Sequence, residues 1–292
     1  MSKQLFKGWH HYGVMCRDME ESIAFYRDAL GFEFMFYAGE MEGADHIKIA
    51  FMKNDKLVLE LLEPVSWNQE ACDWASQGMN HIAFAVGDCD AMQEKLEKEF
   101  NVVFTDPEDG PDCKAVFFRG PGGERLELIE MKSDLFPIVH TPNDSPYIRG
   151  LAHVGIFSGD IDVSIAFYKD VLGFEHVKTF EEGGPDMGFW NKIALMRLDD
   201  TLVEVVCPLA HPQVKEMFKY QARVQMTHLG MDAAIDMQEV IDTIREQADL
   251  EWENTTPGIS PDIPEGNDMQ WALFRDPNGY RWEISHDLGK DY

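Results

Sequence analysis

Hydrophobic residues follow the same pattern in two separate stretches of the chain. Alternating side chains over 11–16 and 153–156 predict a strand. Apolar residues then recur at steps of three and four, which predicts a helix with one buried face. These positions are Met19, Ile23, Tyr26 and Leu30, and then Ile161, Ile165, Tyr168 and Leu172. The segments Ser-Ile-Ala-Phe-Tyr and Leu-Gly-Phe-Glu recur at one offset (153 − 11 = 142), so the second half of the chain repeats the first.

Short polar and glycine signals bound these predicted elements. Asp18 is expected to cap the first helix, with Glu21 completing a capping box. Gly31 and Gly173 stand where a helix favours a left-handed residue at its end. Further strands are predicted at 34–37, 46–52, 56–63, 102–105 and 113–119, and further helices from Asp88 or Asp90 to Phe100 and from Asp236 to about Ala248.

A second repeat divides each half again. The ending Phe118–Glu127 matches Phe274–Glu283 at one offset (274 − 118 = 156). We therefore predict an α+β fold of four βαβββ modules in two tandem domains, 1–132 and 150–292, joined by a proline-bearing linker at 133–149. Because consecutive elements usually neighbour each other, modules one and two are expected to pair, and likewise three and four. Pairing of one with four and two with three is the alternative.

Composition narrows the function classes. The 292 residues are 45% hydrophobic and 27% charged, as in a soluble globular protein. The formal net charge of −28 disfavours nucleic acid and anionic membranes as partners. The N-terminal residues have no signal-peptide core and five scattered cysteines predict no disulfide framework, so we expect a cytoplasmic protein. It would be a monomer or a homodimer.

Each module carries a histidine on its first strand and a glutamate on its last. The pairs are His11 and Glu60, His81 and Glu127, His153 and Glu204, and His228 and Glu283. Two imidazoles and two carboxylates from paired modules would suit a divalent transition metal with open positions for substrate. A single such residue is more often structural, but a glutamate inside an apolar run is costly without a partner, and the pattern recurs four times. The remaining histidines (10, 46, 140, 176, 211 and 286) lack this recurrence and are expected at the surface or in packing.

These motifs resemble the vicinal oxygen chelate superfamily, which includes glyoxalase I, methylmalonyl-CoA epimerase and extradiol dioxygenases. The resemblance rests on His-Val-Gly-Ile, Ser-Ile-Ala-Phe-Tyr, Leu-Gly-Phe-Glu and Phe-Arg-Asp-Pro-Asn-Gly, and covers nearly all of the chain. It implies glyoxalase-like domains whose paired half-barrel sheets, with helices outside, hold one metal (Zn, Ni, Co, Mn or Fe). The His, Glu, His, Glu order resembles glyoxalase I most closely.

The resemblance implies a metal-dependent isomerase or lyase that moves a proton next to a metal-bound carbonyl through an enolate. Glu127 or Glu283 would be the base. Arg125 and Arg281, two residues earlier, would bind a substrate anion or form a salt bridge in the cup wall, and the two roles are equally favoured. The substrate would be a small molecule with a carbonyl or adjacent oxygens.

Two other functions stay open at this point. An extradiol dioxygenase would hold iron on His153, His228 and Glu283, with Tyr280 as the one match to its further acid–base groups. A non-catalytic protein would sequester a ligand in the cups, although relatives of that kind often lose the metal and this chain retains the carboxylates.

Overall fold

The computed structural model describes residues 4–41, 47–64, 79–133, 148–184, 190–199, 201–209, 228–260 and 268–288. The chain forms two compact units. Unit 1 contains Met1–Gly13 and Ile156–Tyr292, and unit 2 contains Val14–Gly155. Most of the predicted linker lies outside the described residues, and the boundaries 1–132 and 150–292 stay predictions. Within the described ranges, no helix is long and apolar enough to cross a membrane.

Four successive βαβββ modules provide the strands and helices. Module 1 has β1 (Phe6–Met15), α1 (Met19–Asp28), β2 (Glu33–Met41), β3 (Ile47–Asn54) and β4 (Leu57–Pro64). Module 2 has β5 (Met79–Val86), α2 (Cys89–Phe100), β6 (Glu108–Asp109), β7 (Cys113–Arg119) and β8 (Arg125–Met131). Module 3 has β9 (Ile148–Phe157), α3 (Ile161–Ala166), β10 (Glu175–Gly183), β11 (Trp190–Leu198) and β12 (Thr201–Pro208). Module 4 has β13 (His228–Ala233), α4 (Met237–Gln247), β14 (Glu251–Trp252), β15 (Gly258–Ile259), β16 (Met269–Arg275) and β17 (Arg281–Asp287).

The predicted α+β fold of curled half-barrel sheets is confirmed. In unit 1, one run of neighbouring strands has the order β14-β16-β17-β13-β1, with β15 beside β16, and a second run has the order β10-β11-β12. In unit 2 the two runs are β9-β5-β8-β7-β6 and β4-β3-β2. The strand pairs β13–β17 and β5–β8 are parallel, and the hairpins within modules are antiparallel.

The expected pairing of consecutive modules is wrong. Strand β1 of module 1 runs antiparallel to β13 of module 4, with His11 opposite Gly230 and Gly13 opposite His228. Strand β5 of module 2 lies beside β9 of module 3. The preference for sequential neighbours is a tendency of short connections. Here His-x-Gly or His-x-Ala occurs on the first strand of every module, so local sequence does not discriminate between partners.

Helix boundaries follow the signals in the sequence. Asp18, Asp88, Asp160 and Asp236 are the N-caps, and each side chain accepts a hydrogen bond from a backbone N–H of its helix's first turn. Gly31 and Gly173 have φ of 78° and 83°, as predicted for the residue that ends each helix. The helix of module 3 departs from the expected geometry, because residues after Ala166 continue as a π-helical turn, Phe167–Val171. The strand predicted at 102–105 is irregular backbone, although Thr105 N–H still donates to Phe117 O.

A buried tyrosine of each duplicated helix donates to a carboxylate in a turn. Tyr168 Oη donates to Asp276 Oδ2 at 2.5 Å, and Tyr26 Oη donates to Glu124 Oε1 at 2.6 Å. Position 276 corresponds to Gly120 (276 − 156 = 120), where an added Cβ would lie 2.0 Å from Glu124 Oε1. Module 2 therefore supplies the same carboxylate from a position four residues later, into the space that an aspartate would fill. Burial raises the pKa of Glu124 to about 7, although the Tyr26 hydrogen bond opposes this shift.

Candidate metal centres

The first candidate site lies within unit 1 and joins modules 1 and 4. It is formed by His11 on β1, His228 on β13 and Glu283 on β17, whose potential ligand atoms all lie within 4.8 Å of one another. The two Nε2 atoms are 2.8 Å apart, and carboxylate oxygens of Glu283 lie 3.8 Å from His11 Nε2 and 3.5 Å from His228 Nε2. All three residues are at least 95% buried. The parallel register, with Gly230 beside Glu283, brings the carboxylate level with this pair of rings.

The second candidate site lies within unit 2 and joins modules 2 and 3. His81 Nε2 and His153 Nε2 are 2.8 Å apart. Glu127 Oε2 lies 3.0 Å from His81 Nε2 and 3.4 Å from His153 Nε2, and all three residues are buried. Each unit therefore presents two imidazole nitrogens and one carboxylate around one point.

Burial and mutual proximity set the charge states of these groups. Burial lowers the pKa of His11 well below its ordinary value, and the neighbouring His228 and His10 lower it further. Burial also lowers the pKa of His81 to about 4, against the opposing effect of Glu127. For Glu127, burial favours the neutral form, but His153 and His81 outweigh it and lower the pKa below its ordinary range. Neutral imidazoles beside an ionised carboxylate are the forms that bind a metal ion.

Glycines provide the space that the imidazole rings fill. A Cβ on Gly13 would lie 2.4 Å from the His228 ring, one on Gly155 2.4 Å from the His81 ring, and one on Gly230 2.6 Å from the His11 ring. These distances are far inside van der Waals contact. The rings are therefore held against the backbone of the neighbouring strand. Together with the nitrogen and oxygen donors, this fixed geometry fits a divalent transition metal such as zinc, nickel, cobalt, manganese or iron.

Each unit thus brings together three of the predicted metal ligands that it contains. Glu60 lies buried on β4 opposite Phe51, and Glu204 lies half-buried on β12 opposite Leu195. Both stay predicted ligands. The pairing of His153 with His228 that an extradiol iron site would need is wrong, because His153 contacts His81 and His228 contacts His11.

The two predicted substrate-binding arginines have different surroundings. Arg281 forms a two-point ion pair with Glu253, with N–O distances of 2.7 and 2.5 Å. Glu253 also accepts from Arg275. The guanidinium of Arg125 lies over the Phe117 ring, 3.8 Å from its centroid. The same position in the repeat is therefore a salt bridge in unit 1 and a cation–π contact in unit 2.

Sequence patterns missed a polar shell around the site of unit 1. His10 Nδ1 lies 2.8 Å from His11 Nδ1, and its Nε2 lies 3.1 Å from Asp287 Oδ1. Ser285 Oγ donates to Glu283 Oε1 at 2.8 Å. His10 was expected at the surface or in packing because it has no counterpart in the other modules. Its position directly before His11 was the available signal.

The remaining described histidines, His176 and His286, have partners other than the candidate ligands. His176 is exposed and bonds Thr179 Oγ1, and His286 is buried with Nδ1 3.7 Å from Asp232 Oδ1. His46, His140 and His211 lie outside the described residues. Tyr280, the possible acid–base match to the dioxygenases, is buried, and its hydroxyl accepts from Phe157 N at 2.9 Å. A backbone hydrogen bond therefore occupies the hydroxyl of this tyrosine.

The duplicated fold and the paired His and Glu side chains define a glyoxalase-like protein, and the chain belongs to the Glyoxalase/Bleomycin resistance protein/Dioxygenase superfamily, whose sequence model matches residues 8–128 and 150–284. Glyoxalase I from Zea mays has a similar structure, with a TM-score of 0.67, 18% identity and coverage of 95% of this chain and 92% of that one. A putative dioxygenase from Bacillus subtilis gives a TM-score of 0.66, 15% identity and coverage of 98% and 87%. At these identities the likeness shows the fold alone.

Sequence relatives match about one half of the chain. The uncharacterized protein YwkD of Bacillus subtilis is 34% identical over 129 residues, which cover 43% of this chain and 98% of that protein. The 4-hydroxyphenylpyruvate dioxygenase of Xenopus tropicalis is 28% identical over 133 residues, which cover 43% of this chain and 34% of that protein.

Proposed function

We propose that the protein is a divalent-metal-dependent isomerase or lyase of the glyoxalase type, which moves a proton next to a substrate carbonyl. The observation that carries this proposal is the buried carboxylate that faces two imidazoles in each unit. When bound, a divalent ion would supply a Lewis acid that polarises the carbonyl. His11, His228 and Glu283 would hold it in unit 1, and His81, His153 and Glu127 in unit 2. We also propose Glu60 and Glu204 as the fourth ligands, from their positions in the repeat.

In unit 1, Glu283 is the proposed base. It would take a proton from the carbon next to the carbonyl and return it to the neighbouring carbon. The Ser285 hydroxyl donates to Oε1 and so holds the carboxylate in one orientation. Glu127 is its counterpart in unit 2. Because His153 and His81 lower the pKa of Glu127, its carboxylate is ionised and weakly basic, which favours metal binding over proton transfer as its role. Burial of all these groups excludes water from the proton while it is transferred.

Arg125 is the proposed anion-binding residue. Its guanidinium lies over the Phe117 ring at the start of the strand that bears Glu127, and its positive charge lowers the pKa of His81. A planar cation this close to the unit 2 site suits a carboxylate or phosphate of a substrate. Arg281 would bind such a group only by leaving Glu253. The ion pair favours a structural role for Arg281.

Substitution of the proposed base tests the reaction class. Glu283→Gln keeps the size and one oxygen but removes the negative charge and most of the basicity. For an isomerase, turnover at the unit 1 site should fall by about 10²–10⁴. Turnover is measured in a protein that also carries His153→Ala, so that the unit 2 site does not contribute. A deuterium label on the carbon next to the substrate carbonyl should be found on the neighbouring carbon of the product, because the buried site keeps it from exchanging with solvent. Ser133→Ala serves as a substitution control.

The donor set also supports a second function. Two histidines and one carboxylate form the ligand set of non-haem iron oxygenases. An extradiol dioxygenase would consume O₂ with a catechol and lose activity under argon. Full turnover of a carbonyl substrate without oxygen, together with loss in Glu283→Gln, supports the isomerase. Activity that stops under strict anaerobiosis and returns with air overturns it in favour of ring cleavage.

A further inference from the structure

A chain of hydrogen bonds runs outward from one imidazole of the unit 1 site. Asp287 Oδ1 lies 3.1 Å from His10 Nε2, and His10 Nδ1 lies 2.8 Å from His11 Nδ1. The two imidazole planes are nearly perpendicular, at 82°. The other ring nitrogen of His11, Nε2, is the atom that faces His228 and Glu283. All of these residues belong to unit 1.

This series of hydrogen bonds assigns a single tautomer to His11. A carboxylate only accepts hydrogen bonds, so the contact with Asp287 places a proton on His10 Nε2. In a neutral imidazole the other nitrogen is then an acceptor, so His10 Nδ1 accepts the proton that His11 carries on Nδ1. His11 Nε2 is left with its lone pair toward the site. A carboxylate–histidine contact behind a ligand is a recurrent way to fix tautomer and ring orientation.

Unit 2 has apolar residues at the corresponding positions. His10 corresponds to Ala152 (152 − 10 = 142), and Asp287 corresponds to Met131 (287 − 131 = 156). Ala152 is buried and has no side-chain hydrogen-bonding group, and the Met131 thioether is a weak acceptor. The duplicated ligands therefore share a scaffold but differ in the groups behind them.

A third difference concerns the carboxylate ligand. Ser285, which donates to Glu283, corresponds to Ile129 (285 − 129 = 156). Ile129 is 2% exposed and has no side-chain donor. Polar neighbours thus orient both an imidazole and the carboxylate of the unit 1 site, whereas apolar side chains occupy the corresponding positions in unit 2.

We propose that His10 and Asp287 are positioning residues that make the unit 1 site the tighter of two unequal metal sites, so that limiting metal fills unit 1 first. This inference rests on the proposed metal sites of both units. A neighbour that fixes the ligating nitrogen removes the cost of selecting the tautomer and rotamer at the moment of binding. Loss of such a contact typically weakens metal binding by about 10–100-fold.

Single-site variants make the two affinities measurable. His153→Ala leaves only the unit 1 site, and His228→Ala leaves only the unit 2 site. Each metal-free protein is titrated with Co²⁺ in competition with a chelator. The unit 1 site is expected to bind about 10–100-fold more tightly. Within the His153→Ala background, His10→Ala should remove that advantage. His10→Asn, which retains an acceptor near the Nδ1 position, should recover part of it. His176→Ala, at an exposed position away from both sites, is the matched control.

A second readout needs no metal. Two-bond ¹⁵N–¹H correlation of the metal-free protein reports which nitrogen of His11 carries the proton. The Nδ1–H form is expected in the parent protein, and a mixture in His10→Ala. Asp287→Asn, which keeps an acceptor oxygen, is a milder variant should His10→Ala fail to fold. Circular dichroism checks each fold.

The possible outcomes separate this inference from the proposed function. Equal affinities of the two sites, or an unchanged unit 1 affinity in His10→Ala, would overturn it, as would Nε2–H protonation of His11 in the parent protein. Absence of Co²⁺ binding at both sites would refute both the metal sites and this inference. Lack of isomerase activity with unequal Co²⁺ sites would refute only the reaction class.

Discussion

Adding one methyl group at Gly155 should weaken metal binding at the unit 2 site and leave the unit 1 site unchanged. A Cβ there would lie 2.4 Å from His81 Cε1 and 2.5 Å from its Nδ1, whereas ordinary contact begins at 3.4 Å. The ring must therefore retreat by about 1 Å (3.4 − 2.4), which exceeds the roughly 0.5 Å tolerance of a preorganised site. Overpacking of this kind costs about 1–3 kcal/mol.

Most of that cost should appear as lost metal affinity. In the metal-free protein the His81 ring can turn aside, but it must return to bind the ion. A cost of about 1–3 kcal/mol corresponds to a decrease of about 5–150-fold in affinity. The assay is a Co²⁺ titration of Gly155→Ala in the His228→Ala background. Gly184→Ala is the matched control, since nothing lies within 4 Å of its added Cβ.

The outcome can also contradict this reasoning. If Gly155→Ala folds and binds metal at unit 2 within about twofold of its parent, the strands near Gly155 can separate enough to admit the methyl group. Module 2 already carries Ala83 at the equivalent position (81 + 2, as 153 + 2 = 155), which makes this a real alternative. The glycine would then have no role in placing the His81 ring.

Three further results are expected. Fully loaded protein should contain two divalent ions per chain by elemental analysis; a single ion would contradict one of the two proposed sites, and no ion would contradict both. In metal titrations His11→Ala and His228→Ala should couple non-additively, as should His81→Ala and His153→Ala, whereas His153→Ala and His228→Ala should be independent. Because the folded pKa of Glu124 is raised from 4.5 to about 7, its contribution is fully present below pH 4.5 and is lost as the pH rises through 7. Glu124→Gln should flatten the decline of unfolding free energy between these pH values, by up to about 3 kcal/mol, and equal slopes for variant and parent would contradict the shift.

Sequence repetition predicted the modules and the histidine and glutamate that recur in each, but not which modules pair. The helix caps and the stripe with Met19, Ile23 and Tyr26 are local features, so residue types alone specified them. Module pairing depends on which modules place their first strands side by side in the sheet. His11 and His81 have similar neighbours in sequence, and only the assembled sheet assigns His228 to one and His153 to the other.

The hydrogen bonds that support the unit 1 site could not be predicted from the sequence for a related reason. His10 and Asp287 are distant in the chain, and neither repeats in the other modules, so no periodicity indicated them. The partner of Arg281 was equally hidden, because Glu253 reaches it from the segment directly after β14. Repetition reveals what the modules share, whereas these contacts are what distinguishes them.

The displaced carboxylate at the Tyr26 turn limits how the modules could have changed after duplication. Glu124 fills the space that an aspartate at position 120 would need, so Gly120→Asp alone would place two acidic groups in one buried volume. Loss of Glu124 alone would remove the hydrogen bond that Tyr26 Oη donates to Oε1. The order of substitutions was therefore constrained, and recombination within the turn should be poorly tolerated. A module exchanged between the two halves would have to carry its entire turn with it.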